Sequence, residues 1–326
     1  FPNKRANLFF NEYLAGESDK PIWSPAAMSI SDLFQKLSVQ KSGDPIRLVC
    51  ELYKVFKEET RSQETLDDFY FWGELLISDF DDVDKNMVDA DKLFSNLQDL
   101  KNLMDDYEFL DKEQEEAIQQ FFQNFSIEKR TELKEKFISL WDKLGTIYHR
   151  YRANLTELGI AYEGMLYRNV IEQLDTDQLK YDKYIFVGFN VLNKVESDFF
   201  RKLKDAGKAL FYWDYDIFYT QQIKKHEAGE FLKRNLEEFP NELPESFFNT
   251  FKEPKKIRYI SASTENAQAR FLPGWIKAIT NDHSQITVEK EKENAVVLCN
   301  EALLLPVLHS IPQEVKNVNI TMGFPL

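Results

Sequence analysis

Apolar residues recur at three- and four-residue steps between about residue 46 and residue 174, which is the spacing of one face of an α-helix. The longest stripe predicts a single helix over about residues 128–158, with these residues on its buried face: Leu133, Phe137, Leu140, Trp141, Leu144, Tyr148, Tyr151, Leu155 and Leu158. Two shorter stripes, over 93–104 and 117–125, predict two more helices, and Asp111 followed by Gln114 predicts a capping box at the start of the second. Such stripes are typical of helix–helix packing, so this region is predicted to be a helical bundle.

The pattern changes near residue 181 to short apolar runs separated by amphipathic segments. Residues 184–189 and 209–213 are rich in aromatic and aliphatic side chains, and the segment between them carries apolar residues at helical spacing: Val195, Phe199, Phe200 and Leu203. Strand, helix and strand within about 30 residues predict a βαβ unit with two parallel strands. Further strands, each followed by a helix, are predicted over 256–261 and 295–299.

The end of the chain also carries boundary signals. Thr264 is predicted to cap the helix that follows the strand at 256–261, and Pro273-Gly274 is predicted to kink or end that helix early. The segment from Pro240 to Pro254 contains three prolines and is predicted to be a linker.

Strand signals occur on both sides of the helical stretch. Residues 22–25 predict a strand end with a helix after it, well before the βαβ unit. The chain is therefore predicted to be an α/β protein whose main domain is interrupted by a large all-helical insertion at 61–180.

The net charge is concentrated in one part of the chain. The 326 residues include 55 Asp+Glu and 41 Lys+Arg, a formal charge of −14. Residues 64–116 hold 18 acidic and 4 basic residues, so the remainder balances at 37 of each (55 − 18 and 41 − 4). Because an acidic segment repels phosphate, no nucleic-acid groove is expected there. Two interpretations stay open, a solvated acidic face or a docking face for a basic partner.

Hydropathy and cysteine usage indicate the compartment. No apolar run approaches the ~18 residues that a bilayer requires, so no membrane partner is expected. Two widely separated cysteines, Cys50 and Cys299, fit a reducing cytosol better than a disulfide framework, so a cytoplasmic location is expected. The chain begins with Phe1 and no signal sequence, and further residues are expected upstream.

Motifs for phosphate and metal chemistry are incomplete in the sequence. The only glycines at P-loop spacing are Gly159 and Gly164, and Met165 and Leu166 follow where the motif needs Lys and Ser or Thr. A PD-(D/E)XK nuclease needs a Pro-Asp pair, which this sequence lacks, and its four histidines are scattered. No catalytic residue and no metal ligand is therefore predicted.

One local motif offers an alternative. The run from Leu75 to Val83, with Asp79 and Asp81, resembles the opening of haloacid-dehalogenase-type phosphohydrolases, in which one carboxylate attacks phosphorus and a second handles the proton. A stand-alone phosphohydrolase would place Asp79 and Asp81 at the end of a parallel strand. The flanking apolar residues have helical spacing and favour an acidic helix end instead.

The predicted strand ends carry a family resemblance. Residues 184–190 followed by Glu196, and then 209–219, resemble the central part of AddB/RecB-type, superfamily-one helicase-like domains. Active members end the first strand in Asp-Glu and the second in Gly-Asp-x-x-Gln, whereas this chain has Gly188-Phe189-Asn190 and Trp213-Asp214-Tyr215-Asp216-Ile217. The resemblance implies a RecA-like parallel sheet whose nucleotide pocket survives only as a remnant, formed by these residues: Gly188, Asn190, Asp214 and Asp216.

The same resemblance extends to both ends of the chain. Residues 1–6, with the helix after them, are similar to the segment that follows the P-loop in AddB-like proteins, and 264–279 with 295–298 is similar to the opening of a second motor domain. It implies a RecA-like core at 1–60 and 181–250, the helical insertion at 61–180, and a truncated second helicase-like domain at 251–326. It also implies nucleic-acid contacts at these residues: Asn3, Lys4, Arg5, Thr264 and Arg270.

The resemblance implies a function for the parent protein, an exodeoxyribonuclease with a downstream nuclease domain that acts on DNA ends. This chain is then expected to be inactive and to need no cofactor, although the parent would use ATP or Mg²⁺. It would grip or scan single-stranded DNA or duplex ends in double-strand-break repair, beside a partner helicase–nuclease subunit. The alternative is a docking scaffold for a partner motor subunit that does not touch DNA.

Overall fold

The computed structural model describes residues 1–17, 19–95, 143–222, 227–279 and 294–321. The chain divides into two compact units, Phe1–Lys252 and Glu253–Leu326, and each is described by itself. The predicted helices at 93–104 and 117–125 lie wholly or largely outside the described residues, as does the capping box at Asp111.

The first unit is mainly helical, with four short strands. Its elements in chain order are α1 (Lys4–Gly16), α2 (Ile30–Leu37), β1 (Lys41–Ser42), α3 (Pro45–Thr60), α4 (Leu66–Lys85), α5 (described over 90–95), α6 (described over 143–157), β2 (Ile160–Ala161), α7 (Glu163–Gln173), β3 (Tyr184–Val187), α8 (Lys194–Asp205), β4 (Ala209–Tyr212) and α9 (Glu227–Glu238). Single turns of 3₁₀-helix lie at Thr176–Gln178 and Glu245–Phe247, and a π-helix lies at Phe218–Gln222.

Side-chain caps fix where several helices begin. Thr65 and Asp68 form a reciprocal capping box at the start of α4. The Asp44 side chain accepts the Arg47 amide at the start of α3, where Pro45 supplies a first residue that needs no hydrogen-bond acceptor. These caps satisfy amides that would otherwise be unpaired at the helix ends.

Helices α3, α4, α6 and α7 enclose the larger part of the core. Phe69 and Phe80 of α4 are buried, and so is Tyr151 of α6, whose hydroxyl donates to the Leu48 carbonyl of α3 at 3.0 Å. The described part of α6 confirms the predicted long helix over 143–157, and the turn after it contains Gly159 at φ +68°. Residues before 143 in that prediction lie outside the described residues.

The four strands of the first unit form two parallel pairs. In the shorter pair, β1 lies beside β2, with Lys41 opposite Ile160. In the longer pair, β3 lies beside β4, with Tyr184 opposite Ala209 and Val187 opposite Tyr212. Helix α8 connects β3 to β4 and buries the predicted residues Val195, Phe199, Phe200 and Leu203, which confirms the βαβ unit.

The described part of the chain is thus a mixed helical and parallel-strand protein, with two small two-stranded sheets. Residues assigned in sequence to the helical insertion share one hydrophobic core with the residues before and after them. Residues 22–25, predicted to end a strand, have no strand structure, whereas the helix predicted after them is α2. Within the ranges that the structure describes, none of the helices combines the length and the apolar composition that a membrane span requires.

The predicted linker from Pro240 to Pro254 contains the division between the two units, after Lys252, but its first residues pack against β4 and the residue that follows β4. The Glu242 amide donates to the Phe211 carbonyl at 2.9 Å, and the Trp213 indole donates to the Phe239 carbonyl at 2.7 Å. Asn241 both donates to the Trp213 carbonyl and accepts its amide. Residues 240–252 are therefore an anchored segment, and the division between the units falls directly after it.

The second unit contains α10 (Glu265–Ile279), a 3₁₀ turn at Glu301–Leu303 and α11 (Leu304–Ser310). The Thr264 hydroxyl accepts the Ala267 amide at 3.1 Å, as the predicted N-cap requires. Pro273-Gly274 is predicted to kink or end this helix, and the early end is wrong, since α10 continues for six residues beyond Pro273. One proline removes one backbone donor, and the helix accommodates that loss.

The strands predicted at 256–261 and 295–299 are also wrong. Neither segment has strand structure in the described residues, and Ile257, Tyr259 and Val297 are exposed. An apolar run becomes a strand only where a neighbouring backbone supplies ladder hydrogen bonds, and the described part of this unit supplies none.

Candidate functional site

The carboxyl ends of β3 and β4 form the edge where open α/β sheets usually bind ligands. The structure brings the ends of these two strands together, because the Gly188 amide donates to the Tyr212 carbonyl at 3.1 Å. Gly188 has φ +76°, a conformation that favours glycine, and it turns the chain away directly after β3. Two of the predicted remnant residues, Gly188 and Asp214, therefore follow adjacent parallel strands.

Asn190 contributes its backbone to this edge. Its carbonyl accepts the Asn235 side-chain amide of α9 at 2.6 Å, while its own side chain is exposed. Asn235 is among the few buried polar residues of the first unit's described part. The contact therefore holds α9 beside the end of β3.

Asp216 has a structural role that its sequence position does not reveal. One carboxylate oxygen accepts the Phe218 amide at 2.9 Å, and the other accepts the amides of Thr250 and Phe251 at 2.9 and 2.8 Å. This carboxylate ties the end of the anchored segment 240–252 to the turn after β4. Asp214 is exposed and lies on the same turn.

The N-terminus of α8 follows β3 and is closed by its own side chains. Asn193 accepts the Glu196 amide, and the Glu196 carboxylate accepts the Asn193 amide at 3.1 Å. Burial raises the pKa of Glu196, the Glu163 carboxylate adds to that rise, and the Asn193 amide and Lys85 oppose it. The capping box thus engages two of the amides at this helix start, those of Asn193 and Glu196.

Sequence reasoning missed a second polar centre, a network around Asp84 of α4. Asp84 has 0% of its surface exposed. Its carboxylate accepts the hydroxyls of Tyr148 and Tyr162, each at 2.5 Å, and pairs with the guanidinium groups of Arg152 and Arg168. Burial, together with the Asp84 charge and hydrogen bond, raises the pKa of Tyr148 to about 12.

The network continues outward and links several elements. Arg152 donates to the Asn169 side chain of α7 at 2.9 Å, and Asn169 donates to Gln40 at 2.6 Å. Arg168 donates to the Val88 carbonyl at 2.8 Å. One sequence signal could have indicated that Asp84 is buried. This residue directly follows Val83 and lies four residues after Phe80, so it shares the apolar face of α4.

Close to this network, α4 and α7 approach each other at Gly164. The Gly164 amide donates to the Asp81 carboxylate at 2.5 Å, and a Cβ at this glycine would overlap the Asp81 carbonyl oxygen. Lys85 pairs with Asp81 and with Glu163, both at 2.7 Å. Asp79 and Asp81 both lie within α4, which excludes the phosphohydrolase alternative because it places them at a strand end.

The nucleic-acid residues predicted for the first unit lie at the start of α1. The Asn3 side chain caps this helix by accepting the Ala6 amide at 3.0 Å, and Lys4 pairs with Asp32 at 3.2 Å while its ammonium stays largely exposed. Arg5 is partly buried. Beside them is an open groove of about 640 Å³, lined by these residues: Lys4, Asn7, Leu8, Ala27, Met28, Ser29, Asp32, Gln35 and Lys36.

In the second unit, Thr264 and Arg270 belong to α10. The Thr264 hydroxyl is the cap of this helix, and Arg270 is exposed one and a half turns further on. The Asn3 and Thr264 side chains thus each hold a helix start in their own unit.

The residues at the β3–β4 edge do not fit a nucleotide-bound metal. Within the ranges the structure describes, no three His, Cys, Asp or Glu side chains converge on a point where a metal ion could bind. The Asp216 oxygens already accept three amides, and Asn190 contacts α9 through its backbone.

Comparisons of the chain with protein-family models, with curated proteins and with solved structures find no match.

Proposed function

We propose that this chain is the non-catalytic, helicase-like scaffold of a DNA-end-processing exonuclease, which grips or scans DNA during double-strand-break repair in the cytoplasm. In this proposal the parallel pair β3–β4 belongs to a RecA-like core, and residues 251–326 begin a second helicase-like domain. A partner helicase–nuclease subunit supplies the motor.

The proposal that this chain is non-catalytic is supported by the hydrogen bonds of Asp216. Phosphoryl transfer depends on charges positioned against phosphate and metal, and a carboxylate whose two oxygens bind three backbone amides holds the chain together instead. The end of β3 offers glycine, phenylalanine and asparagine, none of which carries a charge. In this proposal the edge takes the position of a nucleotide pocket, and the end of β3 lacks the acidic pair of active helicases.

The DNA-binding part is supported by the groove beside α1. Lys4 and Lys36 line it together with Asp32, which pairs with Lys4, so the lining carries one net positive charge. The Lys36 ammonium donates to the Met28 sulfur, a weak acceptor. Trp23 is 99% exposed, and the hydroxyl of its neighbour Ser24 donates to Asn11 of α1. Positive groups that follow a phosphate backbone, beside an aromatic side chain on which a base can stack, are typical of single-strand binding.

We expect the chain to bind a fluorescently labelled oligothymidylate with an affinity that falls steeply as salt is raised, because bound counterions are released. Replacing Lys4 and Lys36 with alanine should reduce the slope of log K against log[salt] by ~0.7 for each phosphate that is no longer neutralised. The Trp23→Ala substitution should weaken binding about tenfold, within the ~1–3 kcal/mol measured for base stacking on aromatic residues.

Fluorescence anisotropy over a sodium chloride series measures both effects. Lys233→Ala is a matched control, because Lys233 is an exposed lysine on α9, remote in sequence from the groove. Affinity that does not depend on salt, or a complete lack of binding to single strands, would count against DNA binding.

A second candidate function, a docking scaffold that does not touch DNA, is favoured by one observation. Three large apolar side chains, Phe71, Trp72 and Leu75, are exposed on α4 within the acidic segment. Exposed apolar groups bordered by polar ones are typical of protein–protein interfaces.

A further inference from the structure

The exposed side of α4 carries a compact apolar patch. Phe71 is 65% exposed, and Trp72 and Leu75 are also exposed. The Phe71 and Trp72 rings meet edge to face at 6.1 Å, and Leu75 follows one turn later on the same side. Water contacts this patch along about one and a half turns of helix.

Carboxylates border the patch at both ends. The exposed acidic residues of α4 are Asp67, Asp68, Glu74, Asp79 and Asp82. Partial burial raises the pKa of Asp79, and the charge of Asp82 adds to that rise, so these two groups repel each other. Lys85 is the basic residue of this helix, and it is engaged by Asp81 and Glu163.

The opposite side of α4 is held firmly. Phe69, Phe80 and Val83 are buried in the core, and Asp84 is fixed by its two tyrosines and two arginines. The patch is therefore displayed on a rigid helix, which lowers the entropic cost of binding.

We propose that the exposed side of α4 is the docking surface for a basic, amphipathic helix of a partner protein. This inference rests on the docking role in the second candidate function, which does not depend on whether the chain also binds DNA, and it names the partner's chemistry. The apolar side of such a helix would cover Phe71, Trp72 and Leu75, and its flanking lysines or arginines would face the carboxylates at the two ends. Nucleic acid is excluded as the occupant because the same carboxylates repel phosphate.

The test uses a labelled synthetic peptide of about 18 residues, with leucines at helical spacing on one side and lysines on the other. Fluorescence anisotropy measures its binding to the whole chain. We expect Phe71→Ala with Trp72→Ala to weaken binding at least tenfold, because exposed aromatic anchors carry much of the binding energy of such interfaces. Asp79→Asn with Asp82→Asn should weaken binding less and reduce its salt dependence.

Matched controls separate docking from unspecific attraction to an acidic protein. Phe247 is 64% exposed and lies outside α4, so Phe247→Ala should leave peptide binding unchanged, and so should Glu157→Gln on α6. A peptide with the same leucines and with glutamates in place of lysines should not bind. Equal binding by the wild type and the Phe71/Trp72 variant, or equal binding of the two peptides, would overturn the proposal.

Two further readouts distinguish the remaining outcomes. If sedimentation shows that the wild type self-associates and the Phe71/Trp72 variant does not, the occupant is a second copy and the proposal is wrong. Oligothymidylate binding should be the same in wild type and variant, since the patch is not the DNA groove. Failure of peptide binding therefore leaves the DNA-binding proposal intact. Failure of oligothymidylate binding likewise leaves the docking proposal intact.

Discussion

Replacing Asp84 with alanine is expected to lower the free energy of unfolding of the first unit by about 3–5 kcal/mol. Removing this carboxylate leaves two guanidinium groups and two tyrosine hydroxyls without the buried acceptor that they share. Because whole domains are stable by only about 5–15 kcal/mol, this single change removes a large part of the total. Urea unfolding followed by circular dichroism measures the effect.

Two further variants keep this expectation testable if Asp84→Ala does not fold. Tyr148→Phe removes one hydroxyl from the same carboxylate and should cost about 1.5–3 kcal/mol, the range for a hydrogen bond to a charged group. Asp79→Ala changes an exposed carboxylate on the same helix and should stay within about 0.5 kcal/mol of wild type. If Tyr148→Phe and Asp79→Ala lower the free energy of unfolding by the same amount, the Asp84 network does not stabilise the fold as described.

Replacing Gly164 with alanine is expected to destabilise the first unit by about 1–3 kcal/mol, although alanine is normally the better helix former. The added Cβ would overlap the Asp81 carbonyl oxygen, and backbone cannot move aside as a flexible side chain can. Helices α4 and α7 would have to separate, which also lengthens the hydrogen bond from the Gly164 amide to Asp81.

Gly145→Ala provides the matched control for this steric argument. Gly145 lies in α6, and its nearest neighbour for an added Cβ is the Phe94 side chain at 3.5 Å, an ordinary contact. This substitution should stabilise the unit by about 0.5–1 kcal/mol, since glycine is unfavourable within a helix. Urea unfolding measures the change in the free energy of unfolding for each substitution. A decrease for Gly164→Ala together with an increase for Gly145→Ala supports the close approach of α4 and α7. A stabilising Gly164→Ala would contradict it.

The sequence predicted correctly those elements whose pattern of apolar residues lies within the element itself. Helix α6 over 143–157 and helix α8 each carry an apolar stripe of their own, and burial follows the stripe. The βαβ unit adds only a short connection between two apolar runs, so its parallel pairing of β3 with β4 was predictable as well.

The errors arise where structure depends on distant partners. The run at 256–261 has the composition of a strand, but composition does not show whether a neighbouring strand exists. Residues 240–252 contain prolines typical of a linker, but the contacts of Glu242 with β4 and of Asn241 with Trp213, directly after β4, anchor them. In both cases a nonlocal interaction, or its absence, decided the outcome.

In the candidate site, too, local patterns could be predicted from the sequence and contacts with distant residues could not. That Asp214 and Asp216 follow a strand could be predicted from the run at 209–213. That Asp216 binds the amides of Thr250 and Phe251 could not, because those residues lie more than 30 positions further along the chain. The Asp84 network likewise combines α4, α6 and α7, and no local pattern connects them.

Phosphate release from ATP, measured at a concentration of oligothymidylate that saturates the chain, tests the proposed non-catalytic scaffold most directly. The account expects no release above the uncatalysed background, in the wild type or in Asp214→Asn. DNA-stimulated release by the wild type that Asp214→Asn abolishes would show a working nucleotide pocket at the end of β4 and would contradict it.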